Sequence, residues 1–242
     1  MICMELINYA HRGASAYAPE NTFASFYMGW QMGANGIETD VQSTRDGVLV
    51  LVHDDDLNRL AGLDRNICDM TYEELCRVDV GSHRGERYRG ERVPTLQEFL
   101  HHFSGKGLHL ALELKQAGIE QQVMEAVLPA WPHDRLIVTS FIWEALLEVR
   151  RIAPEIRTGY LTRRQDADLL QEMKTNGIWQ YCPEGHTVTP EAMRMFREAG
   201  FSIRAWGVSN ESVMERMLAL GVDGMTVNFP DRLQEALGRQ PR

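Results

Sequence analysis

Residues 202–227, SIRAWGVSNESVMERMLALGVDGMTV, read as strand, helix, strand. Ser202–Trp206 and Gly224–Val227 are short runs rich in strand formers. Between them Glu211–Leu220 repeats its apolar residues at helical spacing. That helix stops at Gly221, where a left-handed cap is easiest without a Cβ. A strand, a helix and a returning strand form the unit from which parallel sheets are built.

The unit recurs outward along the chain. Further strand-like runs are Leu6–Ala10, Gly36–Val41, Val48–His53, Leu108–Leu114, Leu136–Ser140, Arg157–Leu161 and Ile178–Tyr181. Helical stretches are Thr22–Met32, Leu96–Phe103, Ile119–Leu128, Trp143–Arg151, Asp166–Asn176 and Pro190–Ala199. Gly33, Gly177 and Gly200 close three of them in the same way as Gly221. With Val48–His53 set aside, eight strands alternate with helices over 242 residues. That suits an α/β chain closed into a (β/α)8 TIM barrel. An open doubly wound sheet is the alternative, but no Gly-x-Gly-x-x-Gly turn follows the first strand to support its dinucleotide-binding form.

Val48–His53 has its own explanation. Asp46-Gly47 sits between two strand-forming runs, a strong hairpin signal. The hairpin is expected to lay Val48–His53 antiparallel to the second strand, with His53 roughly opposite Asp40. From Asp54 to Val93 no barrel unit is visible. That polar stretch holds a short helix near Tyr72–Val78 and the basic run SHRGERYRGER. We expect one catalytic domain over 1–242, with a small inserted lobe at about 54–93 after the second strand.

Composition narrows the function classes. Hydrophobic residues are 44% and charged residues 24%, which excludes an intrinsically disordered chain. The net charge of −9 speaks against a nucleic-acid binder, which usually carries a basic face. No apolar run approaches the ~18–20 residues of a membrane span, so no stable membrane insertion is expected. The start, MICMELINYAHRG, lacks the features of a signal peptide. Cys3, Cys68, Cys76 and Cys182 show no Cys-x-x-Cys spacing and read as reduced thiols in a cytoplasmic protein.

Barrel enzymes build their sites at the C-terminal ends of the strands. Polar residues gather there in this chain. Glu38 and Asp40 are two apart on one strand, so both face one way. Such a pair stays ionised when buried only beside a cation. Glu113 adds a third carboxylate, and three carboxylates without clustered cysteines suit Mg²⁺, Ca²⁺ or Mn²⁺ better than zinc. Solvated acids at a strand end are the plain alternative. Lys115 shares the face of Glu113, as an ion-pair partner or as a grip on an anionic substrate. Arg12 suits phosphate oxygens through two-pronged bonding. His11 and His53 converge near Asp40, and imidazoles there can take and give the protons that phosphodiester hydrolysis moves. Trp206 is core packing or an apolar wall for the substrate. Asn21 or Thr22 starts the first helix; Glu20 and Asn21 could in addition orient His11 or Arg12. The other histidines form no comparable group.

These residues fall into an ordered set: His11-Arg12-Gly13, Pro19-Glu20-Asn21-Thr22, Glu38-x-Asp40-Val41, Asp46-Gly47, Val52-His53-Asp54 and Leu112-Glu113-Leu114-Lys115. Gly221-Val222-Asp223-Gly224 and Phe229-Pro230-Asp231 close it. The set spans nearly the whole chain and resembles the glycerophosphodiester phosphodiesterases. The resemblance implies a phospholipase-C-like (β/α)8 barrel with an insertion after the second strand. It implies cleavage of a small-molecule glycerophosphodiester to sn-glycerol 3-phosphate and an alcohol with one divalent cation, Mg²⁺ or Ca²⁺ or else Mn²⁺. Carried over, Glu38, Asp40 and Glu113 are metal ligands, His11 and His53 the acid/base pair, and Arg12 and Lys115 the phosphate grip, with Trp206 beside the substrate. A homodimer is left open. Asn228 departs from the family, where many relatives have Asp, and is expected to affect local packing alone. Two rival readings are a lysophospholipase D-like enzyme acting on lysophospholipids and a non-catalytic sensor of glycerol phosphate.

Overall fold

A computed structural model describes residues 6–238. Its elements in chain order are β1 (Ile7–His11), α1 (Phe23–Gln31), β2 (Gly36–Ser43), β3 (Leu49–Leu51), β4 (Asp56–Leu57), α2 (Asn58–Ala61), β5 (Leu63–Asn66), α3 (Tyr72–Leu75) and α4 (Leu96–Phe103). They continue as β6 (His109–Leu114), α5 (Glu120–Val127), β7 (Leu136–Ser140), α6 (Trp143–Ile152), β8 (Arg157–Thr162), α7 (Ala167–Thr175) and β9 (Gln180–Pro183). The last are α8 (Pro190–Glu198), β10 (Ser202–Val208), α9 (Glu211–Ala219), β11 (Gly224–Val227) and α10 (Pro230–Ala236).

Eight of these strands pair in parallel around a closed ring: β1, β2, β6, β7, β8, β9, β10, β11 and back to β1. The helices cover its outside. α4 shows why: Leu96, Phe99, Leu100 and Phe103 recur at helical spacing and are all buried. Thr95 and Glu98 cap its start reciprocally. Gly33, Gly177, Gly200 and Gly221 all have positive φ, as their cap positions require.

β3 pairs antiparallel with β2, as the Asp46-Gly47 turn predicts, and Gly47 has φ +80°. The pairing is shorter than expected. It joins Val41 to Leu51 and Ser43 to Leu49, and the chain leaves the sheet before His53. That register extends to Val52, not His53, across from Asp40. Period-two alternation explains the strand's composition: Leu49 and Leu51 enter the main core, while Val50 and Val52 enter a second one.

That second core belongs to the insertion. Leu57, Leu60, Ile67, Met70, Leu75, Val80 and Val93 pack on Val50 and Val52. Within it β4 and β5 form a small antiparallel pair not foreseen from the polar sequence. Two further expectations need correction. The ninth strand runs Gln180–Pro183 rather than Ile178–Tyr181, because Gly177 and Ile178 still bond back to the preceding helix. Helix α10 was not expected, although Pro230 at its first turn is an ordinary helix start. Cys68, Cys76 and Cys182 are free thiols, and Cys3 lies outside the described residues. No helix among the described residues is long and apolar enough to cross a membrane.

The turn after β1 is tightly built. A Cβ on Gly13, at φ +82°, would lie 2.3 Å from Ser25 Oγ. Gly13→Ala is therefore expected to cost at least the ~1–3 kcal/mol of an overpacked site. A urea denaturation midpoint unchanged by the substitution would show that the turn yields easily.

Candidate active site

Strand register brings the predicted residues together. His11 pairs across from Glu38 in the β1–β2 ladder, and Asp40 across from Glu113 in the β2–β6 ladder. Carboxylate oxygens of Glu38, Asp40 and Glu113 lie within 4.8 Å of one another, all on buried residues. His11, Arg12, Glu38, His53 and Glu113 line one cavity of about 340 Å³. Phe141, Leu161 and Trp206 form its apolar wall. Trp206 meets Phe141 edge-on at 5.0 Å between ring centroids, and Phe141 is 44% exposed, so the wall opens to solvent.

The charges in this mouth conflict. Burial, with Asp40 and Glu113 close by, pushes the Glu38 carboxyl well above the usual carboxylate range. Burial and Asp40 push Glu113 up to about 7, against the pull of Lys115. Burial works on Asp40 too, but Arg12, His53, Lys115 and a bond from Asn21 outweigh it and hold that carboxyl low. Arg12 Nε is 3.2 Å and Asn21 Nδ2 2.9 Å from Asp40 Oδ2. The other oxygen, Asp40 Oδ1, is buried without a hydrogen-bond partner; Lys115 Nζ is 4.0 Å away and 3.0 Å from Glu113 Oε1. An orphaned oxygen beside two carboxyls that resist ionising fits a divalent cation with hard oxygen ligands.

The histidines are oriented differently. His11 Nδ1 lies 2.5 Å from Asn228 Oδ1, an acceptor, so Nδ1 carries the proton and Nε2 is the acceptor nitrogen, 3.8 Å from Glu38 Oε2. Burial and Arg12 push His11 down to about 4, so its ring is neutral at pH 7. His53 Nδ1 instead donates to the Asp54 carboxylate at 2.7 Å. Gln42 Nε2 donates to the carbonyls of Val52, His53 and Asp54 at 3.1, 3.2 and 2.9 Å, which holds the chain where it leaves the hairpin.

Several of these contacts escaped the sequence reading. Asn228 is not confined to local packing; it bonds His11 directly. The Asn21 side chain bonds Asp40, its backbone N–H donates to Arg12 O at 3.0 Å, and Glu20 holds Arg12 Nη1 at 2.8 Å. Thr22, not Asn21, caps α1. Gln42 continues the period-two face of Glu38 and Asp40, a signal that could have found it. Arg204 interrupts an apolar strand and is 1% exposed, donating to Gln180 Oε1 at 3.2 Å and to Thr226 Oγ1. Arg12 and Asn21 both have φ above +50° without being glycine, so the loop bearing them is strained.

Glu20 offers a test of this packing. Burial would raise its carboxyl, but Arg59 and Arg12 hold it at about 2, against an ordinary 4.5. A folded-state value below the unfolded one means stabilisation that is complete above 4.5 and lost as pH falls through about 2. Glu20→Gln should therefore lower the urea midpoint near neutral pH, and the gap from the unsubstituted protein should narrow as pH falls. A gap independent of pH would mean that the carboxylate charge is not what matters.

Comparison with known proteins supplies the context. The profile of the "Glycerophosphoryl diester phosphodiesterase family" matches residues 11–232. A glycerophosphodiester phosphodiesterase of Caldanaerobacter subterraneus is 32% identical over 235 residues, covering 95% of this chain and 97% of that one. One from Bacillus altitudinis is 34% identical over 232 residues, covering 93% and 95%. Among solved structures, an Oleispira antarctica phosphodiesterase in complex with the product sn-glycerol-3-phosphate is similar, with TM-score 0.90 and 30% identity over 97% of each chain.

Proposed function

The chain belongs to the glycerophosphoryl diester phosphodiesterase family and hydrolyses glycerophosphodiesters to sn-glycerol 3-phosphate and an alcohol, and we propose that it does so with one divalent cation held by Glu38, Asp40 and Glu113. The observation that carries the cation is the orphaned Asp40 Oδ1 inside a buried cluster of three carboxylates. When bound, such a cation supplies Lewis-acid polarisation of a phosphoryl oxygen. Mg²⁺ and Ca²⁺ suit this ligand set, and Mn²⁺ is a workable substitute.

The protein's own groups do the rest. Arg12 and Lys115 border the carboxylate cluster and balance the charge that builds on the phosphate. His11, neutral at pH 7, takes a proton through Nε2 from the hydroxyl of the attacking water as its oxygen bonds to phosphorus. His53, its Nδ1–H resting on a carboxylate, gives the proton of its other ring nitrogen to the alkoxide as the P–O bond to that group breaks, and exchange with solvent resets both histidines. Trp206, with Phe141 and Leu161, offers the bound diester an apolar face. The insertion is part of the same catalytic unit, and three free thiols suit a cytoplasmic location. A lysophospholipid substrate is the second reading, favoured by the exposed Phe141 ring at the mouth.

Two experiments test the proposal. Chelation with EDTA should abolish turnover of glycerophosphocholine, and Mg²⁺, Ca²⁺ or Mn²⁺ should restore it; full activity in a metal-free preparation defeats the cation claim. Faster turnover of a lysophospholipid in the same assay would favour the second reading.

His11→Ala and His53→Ala should each lower kcat by ~10²–10⁴-fold. An aryl phosphodiester, whose leaving group needs no proton, should rescue His53→Ala but not His11→Ala. Rescue of the other variant reverses the roles, and near-normal turnover by both variants with the natural diester removes the mechanism.

A further inference from the structure

The basic run SHRGERYRGER has no role in the reading above, and its side chains do not form an open anion site. Arg84 Nη2 donates to Ser15 O at 2.6 Å. Arg87 Nη2 and Tyr88 Oη both donate to Tyr17 O, at 3.2 and 2.7 Å. All three bonds run from the inserted lobe to the loop after β1, the loop that carries Arg12, Glu20 and Asn21.

A fourth lobe residue reaches further. Arg59, in α2, donates through Nη1 and Nη2 to the two oxygens of Glu20 at 2.6 and 2.7 Å. Its Nε donates to Asp54 Oδ2 at 2.8 Å. Asp54 uses its other oxygen to accept from His53 Nδ1 at 2.7 Å, and Glu20 Oε1 also accepts from Arg12 Nη1 at 2.8 Å. Arg12 in turn stands 3.2 Å from Asp40. One guanidinium thus closes an unbroken chain: His53, Asp54, Arg59, Glu20, Arg12, Asp40. Isolated surface ion pairs contribute little, but a two-pronged pair inside a network fixes geometry. A lysine could not replace it, because an ammonium lacks the flat fork that bridges two carboxylates.

We propose that Arg59 is a positioning residue that sets the proton carrier His53, through Asp54, and the phosphate grip Arg12, through Glu20, relative to each other. The inserted lobe is then the bracket of the site, with the basic run fastening it to the loop after β1. This rests on the roles given above to His53 and Arg12.

Arg59 is accessible enough for chemical rescue, its side chain being 48% exposed. The test is steady-state turnover of glycerophosphocholine by the full chain carrying Arg59→Ala or Arg59→Lys, with guanidinium chloride titrated at concentrations that leave the fold intact by circular dichroism. Arg59→Ala is expected to lose ~10–100-fold in kcat, the usual effect of removing a partner that orients site residues. KM should move less than kcat. Guanidinium should restore part of the loss in Arg59→Ala, and methylammonium should not. Arg59→Lys should stay impaired. Arg77→Ala, which removes an exposed pair with Glu73 in the same lobe, should behave as the unsubstituted enzyme. The proposal is overturned if Arg59→Ala keeps near-normal kcat, or if its loss is indifferent to guanidinium. Should Arg59→Ala not fold, full kcat in Arg59→Lys overturns the proposal equally. His53→Ala and Arg12→Ala in the same assay separate the two levels. If both keep turnover, the reading of the site fails; if both lose it while Arg59→Ala does not, only the bracket fails.

Discussion

Three carboxylates buried within 4.8 Å of one another repel, and much of the mouth of this barrel exists to make that tolerable. The ladder forces the conflict: pairing β2 with β6 sets Asp40 beside Glu113, and period two brings Glu38 to the same side. Arg12 and Lys115 answer from the rim, and Asn21 adds a neutral donor. Arg204 contributes positive charge from inside the barrel, where its donors are taken up by Gln180 and Thr226. These partners support Asp40 far better than Glu38, which is why one carboxyl stays low while another is pushed up. The cation proposed above would resolve what the protein's own charges leave unresolved.

That arrangement demands rigidity in loops, which are ordinarily the least constrained parts of a barrel. The loop after β1 is held from three sides: by Ser25 Oγ on Arg12 O, by Asn228 N-terminal to α10 accepting from Ala16 N through its carbonyl, and by the lobe. The hairpin end is held by Gln42. Left-handed φ at Arg12 and Asn21 is the strain that such over-determination permits. Gly13 follows because its turn leaves no room for a side chain.

Much of this was legible beforehand, for identifiable reasons. Helix ends were marked by Gly33, Gly177, Gly200 and Gly221, and the hairpin by Asp46-Gly47, since a left-handed residue leaves a clear trace in sequence. The three acids and two histidines stood out as polar residues at the ends of apolar strands. What was not legible depends on register and on distance in sequence. The one-residue difference between Val52 and His53 opposite Asp40 is set by where the turn begins, not by composition. The small core of the lobe was hidden because its apolar residues are spread among charged ones and are completed by Val50 and Val52 of β3.

Asn228 shows the limit most clearly. Its neighbours in sequence suggest only a strand giving way to a helix, yet the closed ring puts β11 beside β1 and so delivers its amide to His11, 217 positions away. Asp54, by contrast, reaches His53 from the next position in the chain. The two histidines therefore differ in partner, one neutral and one charged, and that difference matters because a carboxylate stabilises an imidazolium far more than an amide does. A neutral partner and burial, with Arg12 beside the ring, suit the histidine that begins without a proton in the proposed mechanism. The carboxylate of Asp54 fixes the ring of the other, which serves the leaving group in that mechanism. In the proposed mechanism two identical side chains take opposite duties, and what distinguishes them is the group that touches the nitrogen facing away from the reaction.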